Sequence, residues 1–170
     1  SLRATAERIG MHETWILSDP LTLPIWPPSP APDTTQADAD AARAYIELSA
    51  GLGPVNITTP FDMATYMSRL ASNTLISPFV SEHIMGILEK QLIRDRIPYL
   101  QPGNVKVIDK PGNLDDAVND VGILYLPDGR IRTAALLSLD VVDDAHATQV
   151  EQRLALIASA NFDLPPYYEN

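Results

Sequence analysis

The chain has no cysteine, which excludes disulfides, thiolate metal sites and a cysteine nucleophile but leaves the compartment open. Positive charge is scarce. Twelve Lys and Arg stand against 22 Asp and Glu, for a formal net charge of −10. That balance argues against non-specific binding to nucleic acid or to an anionic membrane. The three histidines, His12, His83 and His146, share no ligand spacing, so neither a metal nor another cofactor is expected. No Ser-His-Asp arrangement has a nucleophile elbow to seat it. No apolar run approaches the ~20 residues of a membrane span, and no internal repeat or signal peptide is visible. Ser1-Leu2-Arg3 does not resemble a natural start, so the chain is expected to begin mid-protein.

What is present is enough for one packed domain. Hydrophobic residues make up 45% and charged residues 20% of the 170 positions, a composition that buries a core. The pattern organises around 105–139. Val105, Val107 and Ile108 predict a strand that runs into Lys110-Pro111-Gly112. Asn119 to Leu126 predicts a second strand, Pro127-Asp128-Gly129-Arg130 a tight turn, and Ile131 to Leu139 a third strand. The three make an antiparallel meander. The fold class is therefore α/β (α+β), an antiparallel sheet packed with helices.

The helices can be read from caps and stripes. Ser1 to Ile9 predicts the end of a helix, stopped by Gly10. Pro20 to Pro32 carries six prolines and excludes regular structure. A helix is predicted over Ala37 to Ser49, with Ala41, Ala44, Tyr45 and Leu48 as its apolar stripe. Thr59 predicts an N-cap with Pro60 at the first position and Asp62 as the acidic half of a capping box. Ala64, Met67, Leu70 and Ala71 share the buried face of that helix. Ser77-Pro78 predicts another helix to about Ile93, with Val80, Ile84, Ile87 and Leu88 inward. Asp143 or Asp144 caps a final helix, whose Val150, Leu154 and Ile157 form a stripe suited to a sheet face. Asp115-Asp116 is a solvated connection. Trp15 and Trp26 are packing residues or loop anchors.

A Lys-x-Gly alone is expected about once in a chain of this size. Here Lys110-Pro111-Gly112 is followed by Asn119-Asp120-Val121-Gly122 and Leu126-Pro127-Asp128-Gly129-Arg130. It is preceded by Thr58-Thr59-Pro60-Phe61-Asp62-Met63-Ala64 and by Asp95-Arg96-Ile97-Pro98. Together these resemble the closing half of a class A β-lactamase or a related penicillin-recognising serine enzyme. Such enzymes carry Lys-Thr-Gly or Lys-Ser-Gly on the strand that lines the active site. The resemblance covers 50–162 well and 4–19 loosely.

The resemblance implies a division of the chain. Residues 1–19 would end the helical subdomain, 20–57 would be an Ω-loop-like region, 58–98 helices, 104–139 strands and 144–162 the C-terminal helix. The intact family sheet has five strands, so two would come from elsewhere. The family's Ser-x-x-Lys nucleophile motif is absent: the lysines are Lys90, Lys106 and Lys110, and none follows a Ser by three positions. Ser159-Ala160-Asn161 has the spacing of the family's Ser-x-Asn but stands in the wrong chain order, and reads as a frayed helix end. No Glu-x-x-Leu-Asn precedes Thr58; Glu47 is the one glutamate candidate there, and a solvated helix residue is its plainer reading.

What the resemblance implies for the site is specific. Lys110 and Asn113 would be catalytic. Lys110 is a point charge for a substrate carboxylate and tunes proton traffic at a neighbouring serine, its alternative being a charge that guards an edge strand. The Asn113 backbone N–H would complete an oxyanion hole with the nucleophile's own N–H. Pro111, Gly112, Arg94 and Arg96 would form the substrate-binding wall. Pro111 departs from the family's Thr or Ser and supplies neither hydroxyl nor N–H. Losing a hydrogen bond to a charged group costs about 1.5–3 kcal/mol, roughly 10- to 100-fold in binding. Arg94 and Arg96 stand where some family members place a carboxylate-anchoring arginine; surface charge is the alternative. Val118 offers no arginine from the adjacent strand.

The expected function is part of a serine hydrolase that acylates on β-lactams or peptidoglycan peptides, with its nucleophile outside this chain and its location secreted, periplasmic or in the cell envelope. The expected partner is the N-terminal half of the same domain, or a second copy. The rival expectation is a non-catalytic binding or cell-envelope interaction domain of the same fold.

Overall fold

A computed structural model describes residues 2–14, 57–114 and 116–160. Three antiparallel strands, β1 (Lys106–Leu114), β2 (Ala117–Tyr125) and β3 (Ile131–Leu137), lie in the order β1-β2-β3. The meander and its register match the sequence pattern: Lys110 faces Val121, Asn113 faces Val118, and Val121 faces Ala135. β2 begins two residues earlier than its pattern predicted, and β3 ends two earlier.

Helices cover both faces. On one, α1 (Leu2–Arg8) and α2 (Pro60–Ala71) pack Ala6, Ile9, Met11, Met67 and Leu70 against Val121 and Ile123. On the other, α4 (Asp144–Ser159) lays Ala155 against Leu124, Leu126, Ala134, Val107 and Ile97. α3 (Pro78–Leu88) stands beside α2 and reaches β1. The helix over 37–49, Glu47, the proline run at 20–32, Trp15 and Trp26 lie outside the described residues.

Caps explain where the helices begin and end. Gly10 takes φ 82°, and the N–H groups of Gly10 and Met11 return to Glu7 O and Ala6 O at 2.9 Å. This paired closure needs a residue that tolerates positive φ. Thr59 Oγ1 accepts from Asp62 N at 3.2 Å, and Ser77 Oγ from Val80 N at 3.2 Å. Asp143, rather than Asp144, caps α4, accepting from His146 N at 3.0 Å. At the far end of α4, Arg132 Nη1 donates to Ala158 O at 2.6 Å and Ala160 O at 2.8 Å, satisfying two terminal carbonyls.

Three expectations need correction. α3 stops at Leu88, not Ile93, and Ile87 points outward. Gln91 Oε1 takes the N–H groups of Leu92 at 2.9 Å and Ile93 at 3.2 Å, donors that a continuing helix would need. Asp62 does not complete a capping box. Its carboxylate is buried and accepts from Glu13 N at 2.8 Å and Thr14 Oγ1 at 2.7 Å, so it ties the start of α2 to the segment after α1. Val150, Leu154 and Ile157 are not buried against the sheet: Leu154 is 46% exposed and Ile157 56%, and Val150 and Leu154 border the open groove beside β3. Glu151 and Ala155 turn inward instead, and the small side chain of Ala155 lets the helix approach closely.

The Asp62 clamp gives the first prediction. Asp62→Ala removes one buried and one part-buried hydrogen bond to a carboxylate, each worth about 1.5 kcal/mol or more. In the full-length protein we expect a loss of about 3 kcal/mol, seen as a lower denaturant midpoint at constant slope. An unchanged midpoint would show that the clamp contributes nothing net.

Candidate active site

β1 is an edge strand, and its second half, Lys110 to Asn113, carries the residues singled out above. Lys110, Gly112 and Asn113 are exposed and Pro111 is buried. Strand alternation puts Asp109, Pro111 and Asn113 on one face and Lys110 and Gly112 on the other. Lys110 Nζ donates to Pro111 O at 2.5 Å. Proline is tolerated here because an edge strand need not donate along its whole length.

Behind this strand, residues 94–98 cross the face of the sheet that α4 covers. Ile97 is fully buried. Its approach is possible because residue 122 is glycine: a Cβ there would stand 3.3 Å from Ile97 Cδ1 and 3.2 Å from Ile108 O. Ile97 N donates to Asp120 Oδ2 at 3.1 Å, and Gln152 Nε2 on α4 donates to Asp95 O at 2.7 Å.

The two arginines flanking this crossing have different environments. Arg94, 41% exposed, pairs with buried Asp109 at 2.7 Å and donates to Val107 O at 3.1 Å. Arg96 is only 4% exposed. Its Nη1 donates to Gly112 O at 3.2 Å and Asn119 O at 2.6 Å, and its Nη2 to Asn113 Oδ1. Its Nε lies 3.9 Å from Glu151 Oε2 and from Asp95 Oδ1. The structure thus brings Arg96, Gly112 and Asn113 together, sets Arg94 apart on Asp109, and leaves Lys110 on the opposite face.

Three buried acids around these arginines escaped the sequence reading: Asp109, Asp120 and Glu151. Asp109 Oδ2, Asp120 Oδ1 and both oxygens of Glu151 have no hydrogen-bond partner. Burial raises all three. The carboxyl of Asp109 is pushed up to about 6 against the pull of Arg94. That of Asp120 is pushed up to about 7 by burial and then by the charge of Asp109. Burial pushes Glu151 up to about 8, opposed by Arg96. A signal existed for Asp109, which occupies a core position of an apolar strand alongside Val107. Among the described residues, no three His, Asp or Glu side chains converge on a metal-sized site.

The model of the beta-lactamase enzyme family matches residues 1–162. The chain belongs to that family. No curated protein sequence matches it. Among solved structures, it is similar to a beta-lactamase from Sphaerobacter thermophilus at 22% identity and TM-score 0.61, over 91% of this chain and 49% of that one. It also resembles a PBP-A mutant captured as an acyl-enzyme complex with penicillin G, at 16% identity and TM-score 0.66, over 92% and 48%. TLA-3 extended-spectrum beta-lactamase gives 16% identity and TM-score 0.64, over 91% and 51%. At these identities the structures establish the fold: the sheet and helices have the beta-lactamase/transpeptidase-like arrangement. The chain spans about half the length of the structures it matches.

The buried acids yield the second prediction. Each has a higher pKa folded than unfolded, so the folded protein holds the extra protons and loses stability as pH rises through that window. For Glu151 the window runs from its ordinary value of 4.5 to about 8. Glu151→Gln should raise the melting temperature of the full-length protein by a few degrees above about pH 8 and change it little near pH 4. A lower melting temperature at high pH would mean that ionised Glu151 stabilises the fold through Arg96.

Proposed function

We propose that this chain is the second half of a serine acyl-transfer domain acting on β-lactams or peptidoglycan peptides, with its nucleophile supplied by residues outside it. The observation that carries this reading is the stretch from Lys110 to Asn113 on the edge strand of a beta-lactamase-family sheet, with Lys110, Gly112 and Asn113 exposed. Lys110 supplies the positive charge for a substrate carboxylate and assists proton transfer at the serine. The Asn113 N–H is the second oxyanion donor. Gly112 lets the substrate approach the strand. Arg94 and Arg96 support the wall from behind through Asp109, Gly112 and Asn113. The similarity to a penicillin G acyl-enzyme supports the substrate class. Family membership supports a secreted, periplasmic or cell-envelope location. No helix among the described residues is long and apolar enough to cross a membrane.

One observation favours a second reading, a non-catalytic binding or cell-envelope interaction domain. Pro111 is buried and offers no hydroxyl at the position where the family binds the carboxylate. Reading the encoding gene upstream separates the two, since the first reading requires a Ser-x-x-Lys there.

Two experiments test the enzymatic reading. A fluorescent penicillin should label the full-length protein, and Lys110→Ala should slow labelling by a factor of about 100 or more, the scale of losing a charged transition-state partner. Equal labelling of both forms rules out the role of Lys110. With a chromogenic cephalosporin, we expect slow acylation and poor turnover, because Pro111 weakens recognition and no Glu-x-x-Leu-Asn precedes Thr58. Rapid multiple turnover would reveal a deacylating base elsewhere.

The partner part of the reading rests on the other edge of the sheet. β3 has no strand beyond it among the described residues. An open groove of about 300 Å³ runs beside it, lined by Ala135, Leu136, Leu137, Val150, Leu154 and Glu151. The N-terminal half of the same domain would cover this groove, because a long apolar edge left bare invites association. Residues 1–170 expressed alone should self-associate, and co-expression with the preceding part of the gene should give a monodisperse complex. A monodisperse monomer of 1–170 alone would rule out the half-domain reading.

A further inference from the structure

Glu151 is an acid buried without a bond. It is 4% exposed, and neither carboxyl oxygen has a hydrogen-bond partner among the described residues. The charges that face it are unequal. From the crossing segment come Arg96, whose Nε lies 3.9 Å from Glu151 Oε2, and Asp95, 3.9 Å from the same Nε. β2 adds Asp120, and Asp109 of β1 is paired with Arg94. One cation thus stands against two anions, and its Nη groups are taken by Gly112 O, Asn119 O and the Asn113 side chain. Other neighbours do not redress the balance. On α4, Gln152 is neutral and His146 and Arg153 are exposed. Arg132 of β3 is held at the far end of α4, and Asp62 of α2 is taken by Glu13 N and Thr14 Oγ1. Burial in this company holds the Glu151 carboxyl up to about 8.

Glu151 also lines the groove of about 300 Å³ beside β3. The other walls are mostly apolar, with Ala135, Leu136 and Leu137 on β3 and Val150 and Leu154 on α4. While the groove is empty, an ionised Glu151 can turn into it and reach water. A segment seated there closes that route, and the cost falls mainly on the charged form. We propose that filling the β3 groove is linked to the proton on Glu151: an apolar segment seats there over the neutral acid and is released when the acid ionises. This rests on the reading in which the N-terminal half of the domain covers the groove, supported by a chain that spans about half the length of the structures it matches. The covered state holds the proton more tightly than the open one. Docking is therefore strongest at low pH and weakens as pH rises through about 8.

The test is amide hydrogen exchange of the full-length protein at about pH 7 and about pH 9, corrected for the intrinsic pH dependence of exchange. In wild type, β3 should exchange about tenfold faster at the higher pH, the change that one proton makes per pH unit. β2, reached only when the sheet itself unfolds, should stay the better protected. In Glu151→Gln, a neutral side chain of the same shape, β3 should exchange at one corrected rate at both pH values. Four results overturn the inference. Wild-type β3 exchange that ignores pH does so without any variant, as does β3 exchange no faster than that of β2, which would make the opening global. A pH dependence that survives in Glu151→Gln would assign the proton to Asp109 or Asp120 instead. If wild-type β3 is unprotected at both pH values, the groove is uncovered, and the half-domain reading falls with the inference.

Discussion

A guanidinium enclosed between a sheet and a helix must find acceptors for its donors, because leaving a charge buried and unpaired costs several kcal/mol. Arg96 meets that demand at its two terminal nitrogens, while its Nε has no hydrogen-bond partner. Carbonyls of β1 and β2 take one nitrogen, the Asn113 carboxamide takes another, and Glu151 of α4 stands near the third. Much else follows from this placement. It fixes the end of the Lys-x-Gly strand against its neighbour. Glu151 and Ala155 face the sheet and the larger apolar residues do not, although a hydrophobic stripe alone would favour the opposite rotation.

The surrounding acids make the arrangement sensitive to protonation. Asp109, Asp120 and Glu151 lie within one buried region with two arginines, and burial holds all three carboxyls toward their neutral forms. A buried polar cluster of this kind is a weak source of stability, but it is selective about geometry. Ile97 is pinned to Asp120, Arg94 to Asp109, and Gln152 to the backbone of Asp95. The crossing segment 94–98 therefore couples the strand that bears Lys110 to the last helix.

The two edges of the sheet differ in chemistry. The β1 edge ends in exposed Lys110, Gly112 and Asn113, a polar surface. The β3 edge borders an apolar groove, which suits a protein segment. Folds of one family host different activities according to such local chemistry. Pro111 shows why membership of the beta-lactamase family does not by itself fix the reaction. It is compatible with the edge strand and carries neither a hydroxyl nor an N–H.

The sequence by itself determined the meander, its turn, the caps at Thr59 and Ser77, and the family. All of these depend on interactions within a few residues, or on alternation that a single strand displays. Lys110 and Asn113 were legible for the same reason, since a short motif carries them. Only the tertiary structure decided that Arg96 is buried rather than a surface charge, that Asp62 clamps Thr14 rather than its own helix start, and that Val150, Leu154 and Ile157 lie off the sheet. Each of these depends on residues distant along the chain: Asn119 for Arg96, Thr14 for Asp62, and the sheet residues that Ala155 packs against for α4. A helical stripe shows that one face is apolar, but it cannot show which side of the helix the rest of the fold will bury.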